Sequence, residues 1–193
     1  MKKVNINFIP VSGKDLISKM YLNGNPEKED VIEDVYKLYT YKASMMNVET
    51  LKKGFYGTRE TTDGYMAFSI DGDEKFYGIQ EVKRKVCNSY RQYCKQLLQA
   101  LRYLWLYRND SSIKVIILNS EKYYVYVLVD EILDLINELS PLFSASNKSA
   151  SETWKDITLK NKILHNRIPF HIKNLNEDFS LDEVLRTIYQ SCL

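Results

Sequence analysis

The sequence predicts an α/β domain, and three observations carry that expectation. Segments with helical spacing alternate with β-rich segments along the chain. Residues 65–70 and 75–83 are rich in β-formers and flank Asp71-Gly72-Asp73-Glu74, a strong hairpin signal. Ile113 to Leu118 is a near-continuous apolar run, the pattern of a strand covered on both faces.

The elements follow in order. Val4, Ile6 and Phe8 alternate with polar residues, which predicts a short strand over Val4 to Ile9, closed by Pro10. Asn23-Gly24-Asn25-Pro26 is turn chemistry, and Val31, Val35 and Leu38 then recur at helical spacing to about Lys42. Glu27, Glu29 and Asp30 fall in the first turn of that helix, where its dipole favours acids. After the hairpin, Asn88 to Arg108 lacks Gly and Pro and carries Tyr90, Tyr93, Cys94, Leu97, Leu101 and Leu104 on one stripe, so it predicts a long helix. The Tyr/Val run 123–129 reads as the hairpin partner of Ile113–Leu118, and Val129 to Leu139 as a helix. Beyond Ser140 the character changes. Residues 144–151 are a small-residue linker, and Ser180-Leu181-Asp182-Glu183 is a capping box opening a short helix to about Gln190. The expected division is a domain over 1–140, followed by a linker and short helical segment over 141–193.

Composition narrows the class. Hydrophobic residues at 45% and charged residues at 27% suit a soluble domain with a real core. No apolar run approaches a membrane span, and the start has no secretory h-region, so a cytoplasmic location is expected. The three cysteines, Cys87, Cys94 and Cys192, have no metal-type spacing, and His165 and His171 lack partners in any zinc pattern. A net charge of +2 says little about partners, but its distribution says more. Between Val82 and Asn109 there is no Asp or Glu, while Lys83, Arg84, Lys85, Arg91, Lys95, Arg102 and Arg108 contribute seven positive charges. Such an excess suits a phosphate-binding face; a solvated helix face is the alternative.

Asp63 precedes Gly64 and opens the first hairpin strand, while Glu81 and Lys83 lie two apart near the end of the return strand. Antiparallel pairing brings these strand ends together. Two carboxylates are natural oxygen ligands for Mg²⁺, which keeps water in its remaining positions, and a neighbouring lysine adds positive charge where negative charge builds. Register decides whether the three meet. A symmetric four-residue loop pairs Ile70 with Lys75 and sets Asp63 against Val82, whose side chain faces away from Glu81 and Lys83. The trio shares a face only with an odd-numbered loop or a bulge, and Gly72 suits a G1-type bulge. The alternative is a solvated Glu-x-Lys cross-strand pair.

Asp63-Gly64, then Glu81-Val82-Lys83 eighteen residues on, then a Gln-rich helix and the strands at 113–118 and 123–129 resemble the PD-(D/E)xK nuclease superfamily. The nearest likeness is to the N-terminal nuclease domains of type I and related restriction enzymes, over about residues 26–139. The resemblance implies an α-β-β-β-α-β order, with a restriction-endonuclease-like mixed sheet flanked by helices. It implies metal-dependent hydrolysis of DNA phosphodiester bonds, with Asp63 and Glu81 holding Mg²⁺ (Mn²⁺ substituting), Val82 adding its carbonyl and Lys83 handling the water. Gln99-Ala-Leu-Arg-Tyr103 matches the family's Gln-x-x-x-Tyr signature, which assigns Gln99 an assisting role. Gln92, Gln96, Gln99 and Tyr103 share one helical face. A first-helix acid completes such sites, and Glu29 is preferred to Glu33. Lys85, Arg91, Lys95, Arg102 and Tyr103 are the expected nucleic-acid contacts. Expected partners are DNA and the methyltransferase, helicase or specificity modules of a restriction-modification assembly. Thr62 stands where the family often has proline. The rival reading is a catalytically silent nuclease-like domain that binds DNA or a protein partner.

Overall fold

The structure, a computed structural model, describes residues 8–24, 26, 28–44, 48–49, 63–70, 74–84, 89–106, 113–144, 156–165 and 167–192. In chain order the elements are α1 (Gly13–Leu22), α2 (Glu29–Ser44), β1 (Val48–Glu49), β2 (Gly64–Ile70), β3 (Glu74–Val82), α3 (Tyr90–Leu106), β4 (Ile113–Asn119) and β5 (Tyr123–Leu128). A 3₁₀ turn (Val129–Ile132), α4 (Leu133–Ser144), α5 (Ile157–His165), β6 (His171–Asn174) and α6 (Leu181–Ser191) follow. The described strands form one six-stranded mixed sheet in the order β1-β2-β3-β4-β5-β6. β3 and β4 run parallel, and every other neighbouring pair is antiparallel. This is the expected mixed sheet flanked by helices.

Alternation along the strands separates two cores, because successive strand side chains point to opposite faces. Ile79, Ile116, Leu118, Val125 and Val127 pack with Tyr93, Leu97, Leu101 and Leu104 of α3, and with Leu135 and Leu139 of α4. Val82, Val115, Ile117, Tyr124 and Tyr126 pack on the other face with Leu16 and Met20 of α1, Ile32, Val35 and Tyr36 of α2, and α6. The apolar run in β4 is thus explained, since both its faces are covered. On the α2 face Tyr36 meets Tyr124 edge-on at 5.8 Å and donates to the Ser120 carbonyl at 2.8 Å. Among the described residues, no helix is long and apolar enough to cross a membrane.

Two expectations need correction, and a third lies outside the described residues. The strand expected over Val4 to Ile9 falls mostly on the undescribed segment. The boundary at residue 140 does not hold. α4 runs through Pro141 to Ser144, β6 pairs with β5, and Leu175, Phe179, Leu181, Leu185 and Ile188 are buried in the α2-side core. The segment after 140 completes the same sheet and core. The capping box at Ser180 is also not formed: the Ser180 hydroxyl bonds Asp182 instead, and Asp182 accepts the Val11 amide at 3.2 Å. The box that does form belongs to α1, which sequence reading passed over. There Ser12 accepts the Asp15 amide at 3.2 Å and the Asp15 carboxylate accepts the Ser12 amide at 2.9 Å.

The segment that leads into α1 is clamped to the segment that leads into α6. Leu181 N–H donates to the Val11 carbonyl at 2.8 Å, and Ser12 bridges Ser180. At Gly13 a Cβ would lie 1.9 Å from the Leu175 carbonyl oxygen, a backbone atom that cannot swing aside. Gly13→Ala is therefore expected to cost about 1–3 kcal/mol by overpacking. Urea unfolding should show it as a lower midpoint at unchanged slope; an unchanged midpoint would mean that α1 is not held against Leu175.

Candidate metal-binding active site

The β2–β3 register sets the site. Ile70 pairs with Glu74 and Gly64 with Gln80, so three residues separate the last paired positions, and the same register carried one residue past Gly64 sets Asp63 against Glu81. The loop is odd-numbered, and the two acids fall on one side of the sheet. Pairing is close at this end. A Cβ on the buried Gly64 would lie 3.1 Å from the Cβ of Gln80, tighter than ordinary contact, so glycine eases the approach of the strands here. Asp63 then ends the ladder with its side chain: Oδ2 accepts the Val82 amide at 2.6 Å.

Glu81 is fully buried, and its carboxylate bonds the Lys83 ammonium through Oε1. Lys83 Nζ also donates to the Val82 carbonyl at 3.1 Å and stands 3.9 Å from Glu29 Oε2. Three oxygens assigned to a metal by sequence, on Glu81, Val82 and Glu29, thus already gather around one cationic atom. Glu33, the other first-helix candidate, is engaged by Lys37. Glu29 is the first-helix acid that reaches Lys83.

Electrostatics show what this concentration costs. Burial and the neighbouring Asp63 charge push Glu81 from its ordinary 4.5 to about 8, although Lys83 pulls the other way. Asp63 is also raised, by burial first and by Glu33 and Glu29, against the Val82 amide and Lys83. Burial alone would lower Lys83, but the charges of Glu81, Asp63 and Glu29 outweigh it and the net direction is up. Lys83 is therefore an ammonium in the free protein. Among the described residues Glu81 Oε2 has no hydrogen-bond partner, and a buried polar group left so costs about 1–3 kcal/mol. A hard cation fits this donor set: two carboxylates, one with a spare buried oxygen, and a backbone carbonyl. Two carboxylates and one carbonyl leave positions open, so such an ion would keep several waters.

The long helix α3 distributes the remaining expected residues unevenly. Arg91 and Lys95 are exposed, as a phosphate-contacting face requires. Arg102 and Tyr103, two of the expected nucleic-acid contacts, are buried, at 6% and 2% exposure. They lie where α3 is enclosed nearly all round. Gln99 donates to the Tyr103 hydroxyl at 3.0 Å, one turn along the same helix. Lys85 and Cys87 lie outside the described residues. His171 stacks on Tyr126 at 4.6 Å and bonds Glu131 at 3.0 Å, far along the sheet from Asp63. Sequence reading did not single out Lys28 and Arg84 as a pair. With Glu29 and Asp30 they line an open hollow of about 420 Å³ that shares Glu29 with the site.

No family model, curated protein or solved structure matches the chain. The electrostatics yield a direct test. Folded Glu81 keeps its proton to about pH 8, whereas the unfolded side chain releases it near 4.5. Across that window the unfolded state binds fewer protons, so this contribution to stability is complete below the lower value and lost as pH rises to the upper one. Without divalent metal, wild-type stability should fall over this range and Glu81→Gln should flatten the fall, becoming the more stable protein at alkaline pH. Parallel urea-midpoint curves for the two proteins would contradict the burial account.

Proposed function

We propose that the chain is a Mg²⁺-dependent endonuclease of the PD-(D/E)xK kind that hydrolyses DNA phosphodiester bonds, working as the nuclease part of a restriction-modification system. The observation that carries this reading is a β2–β3 register that brings Asp63 to the level of Glu81, with Lys83 on the Glu81 carboxylate and the second Glu81 oxygen buried without a partner among the described residues. The order α2-β1-β2-β3-α3-β4 agrees with the α-β-β-β-α-β order of the restriction-endonuclease-like core.

The residues divide the work by chemistry. Asp63 and Glu81 supply the hard anionic oxygens, the Val82 carbonyl a neutral one, and Glu29 an acid at the rim. Bound Mg²⁺ would acidify a water and offset charge on the reacting phosphate. Lys83 supplies a further positive charge beside that phosphate and a hydrogen-bond donor to orient the water. Lys28 and Arg84 flank the hollow beside Glu29, and Arg91 and Lys95 extend the positive surface along α3. A phosphate-bearing strand would lie across these groups. Methyltransferase, helicase or specificity modules would supply the choice of target.

Plasmid nicking with Mg²⁺, paired with Mn²⁺ calorimetry, separates the roles. Asp63→Ala and Glu81→Ala should lose metal binding and cleavage together. Lys83→Ala should bind Mn²⁺ no more weakly than wild type, because its ammonium now occupies the same oxygens, while cleavage falls by about 10²-fold. Wild-type cleavage by Lys83→Ala would make Lys83 a strand-end ion pair and overturn its assigned role.

A further inference from the structure

Gln96 is 5% exposed, yet among the described residues neither its amide nitrogen nor its amide oxygen has a hydrogen-bond partner. Buried amides are almost always satisfied, so a group with both ends open marks a place where a water, ion or ligand belongs. Glu81 Oε2 has the same character. The fold brings the two to one face. Ile79 belongs to the α3-side core and Val82 to the opposite one, so Glu81, two residues after Ile79, emerges beneath α3. A parallel β3–α3–β4 crossover returns the helix antiparallel to both strands, which sets the first turns of α3 beside the strand ends that carry Glu81 and Asn119. Tyr93 supports this placement: it lies in the α3-side core against which Tyr123 packs, and Tyr123 opens β5 where β4 has just ended. Gln96 lies in the second turn of α3. Gln99 lies a turn further on and already donates to Tyr103.

We infer that Gln96, rather than Gln99, is the amide of the site: a positioning residue whose carbonyl oxygen accepts from a water on the cation held by Asp63 and Glu81. The inference rests on the metal reading above and sharpens it. It turns two unsatisfied buried groups on one face into the two sides of a single hydrated ion. An amide suits this place better than a third carboxylate, because it orients the water without adding to the negative charge that already strains Glu81.

The test is Mn²⁺ calorimetry on the full chain, with thermal unfolding in chelator as a second reading. Gln96→Met keeps the length of the side chain and removes its hydrogen bonds. It should weaken Mn²⁺ binding by about 10–100-fold, as removal of outer ligand-orienting groups does, while unfolding without metal at the same temperature as wild type or higher. Gln96→Glu keeps an oxygen at the same reach and should bind Mn²⁺ at least as tightly as wild type. Gln99→Met should leave affinity unchanged. Wild-type affinity in Gln96→Met, equal losses in its Glu and Met variants, or an equal loss in Gln99→Met would each overturn the inference while leaving the metal site standing. No Mn²⁺ binding by wild type would overturn the metal site and this inference together.

Discussion

One constraint governs the site: the register of the β2–β3 hairpin. Side chains alternate with a period of two, so a slip of one residue would send every one of them to the other face. With Ile70 on Glu74, Asp63 meets Glu81; with Ile70 on Lys75 it would meet Val82, whose side chain lies in the α2-side core. The register is held from several directions. Met66 and Phe76 are both buried on the α2 side, Gly64 allows close approach to Gln80, and Asp63 closes the ladder on the Val82 amide. The packing that makes the hairpin fold thereby also places the two acids.

That placement opposes stability locally. A fully buried glutamate beside an aspartate is costly, and Lys83 offsets the cost only in part, since Glu81 remains raised despite it. Sites that bind a cation commonly hold charge in this unfavourable state until the ion arrives, and ion binding then stabilises the fold. On the proposed reading Lys83 has two settings. In the free protein it stands in for the cation on Glu81 and Val82. Once an ion compensates Glu81 and Asp63, the charges that raise Lys83 weaken and burial, which lowers it, gains weight.

Much of this was legible in the chain. The hairpin, the long helix and the double-sided strand β4 were strongly patterned, and Asp63, Glu81 and Lys83 stood at strand ends that antiparallel pairing had to join. What sequence left open was the register, because Asp71-Gly72-Asp73-Glu74 accommodates loops of more than one length. Beyond residue 140 the reading failed for a physical reason. β6 is a four-residue edge strand whose one large apolar side chain, Ile172, is 40% exposed, so it carries no inward-facing pattern. α1 was missed although Ser12 and Asp15 have capping-box spacing, with Asp where Glu or Gln is usual. The inward turn of Arg102 and the open amide of Gln96 depend on how α3 is rotated against the sheet, which a stripe of spacings constrains only loosely.

The central claim is that one divalent cation belongs between Asp63 and Glu81. A crystal structure of the chain grown with Mn²⁺, read through the anomalous signal of manganese, tests it most directly. The account predicts one strong peak contacted by carboxylate oxygens of both residues, with Lys83 drawn back from Glu81. A peak held elsewhere, or Lys83 still seated on Glu81 with no manganese beside it, would contradict the account.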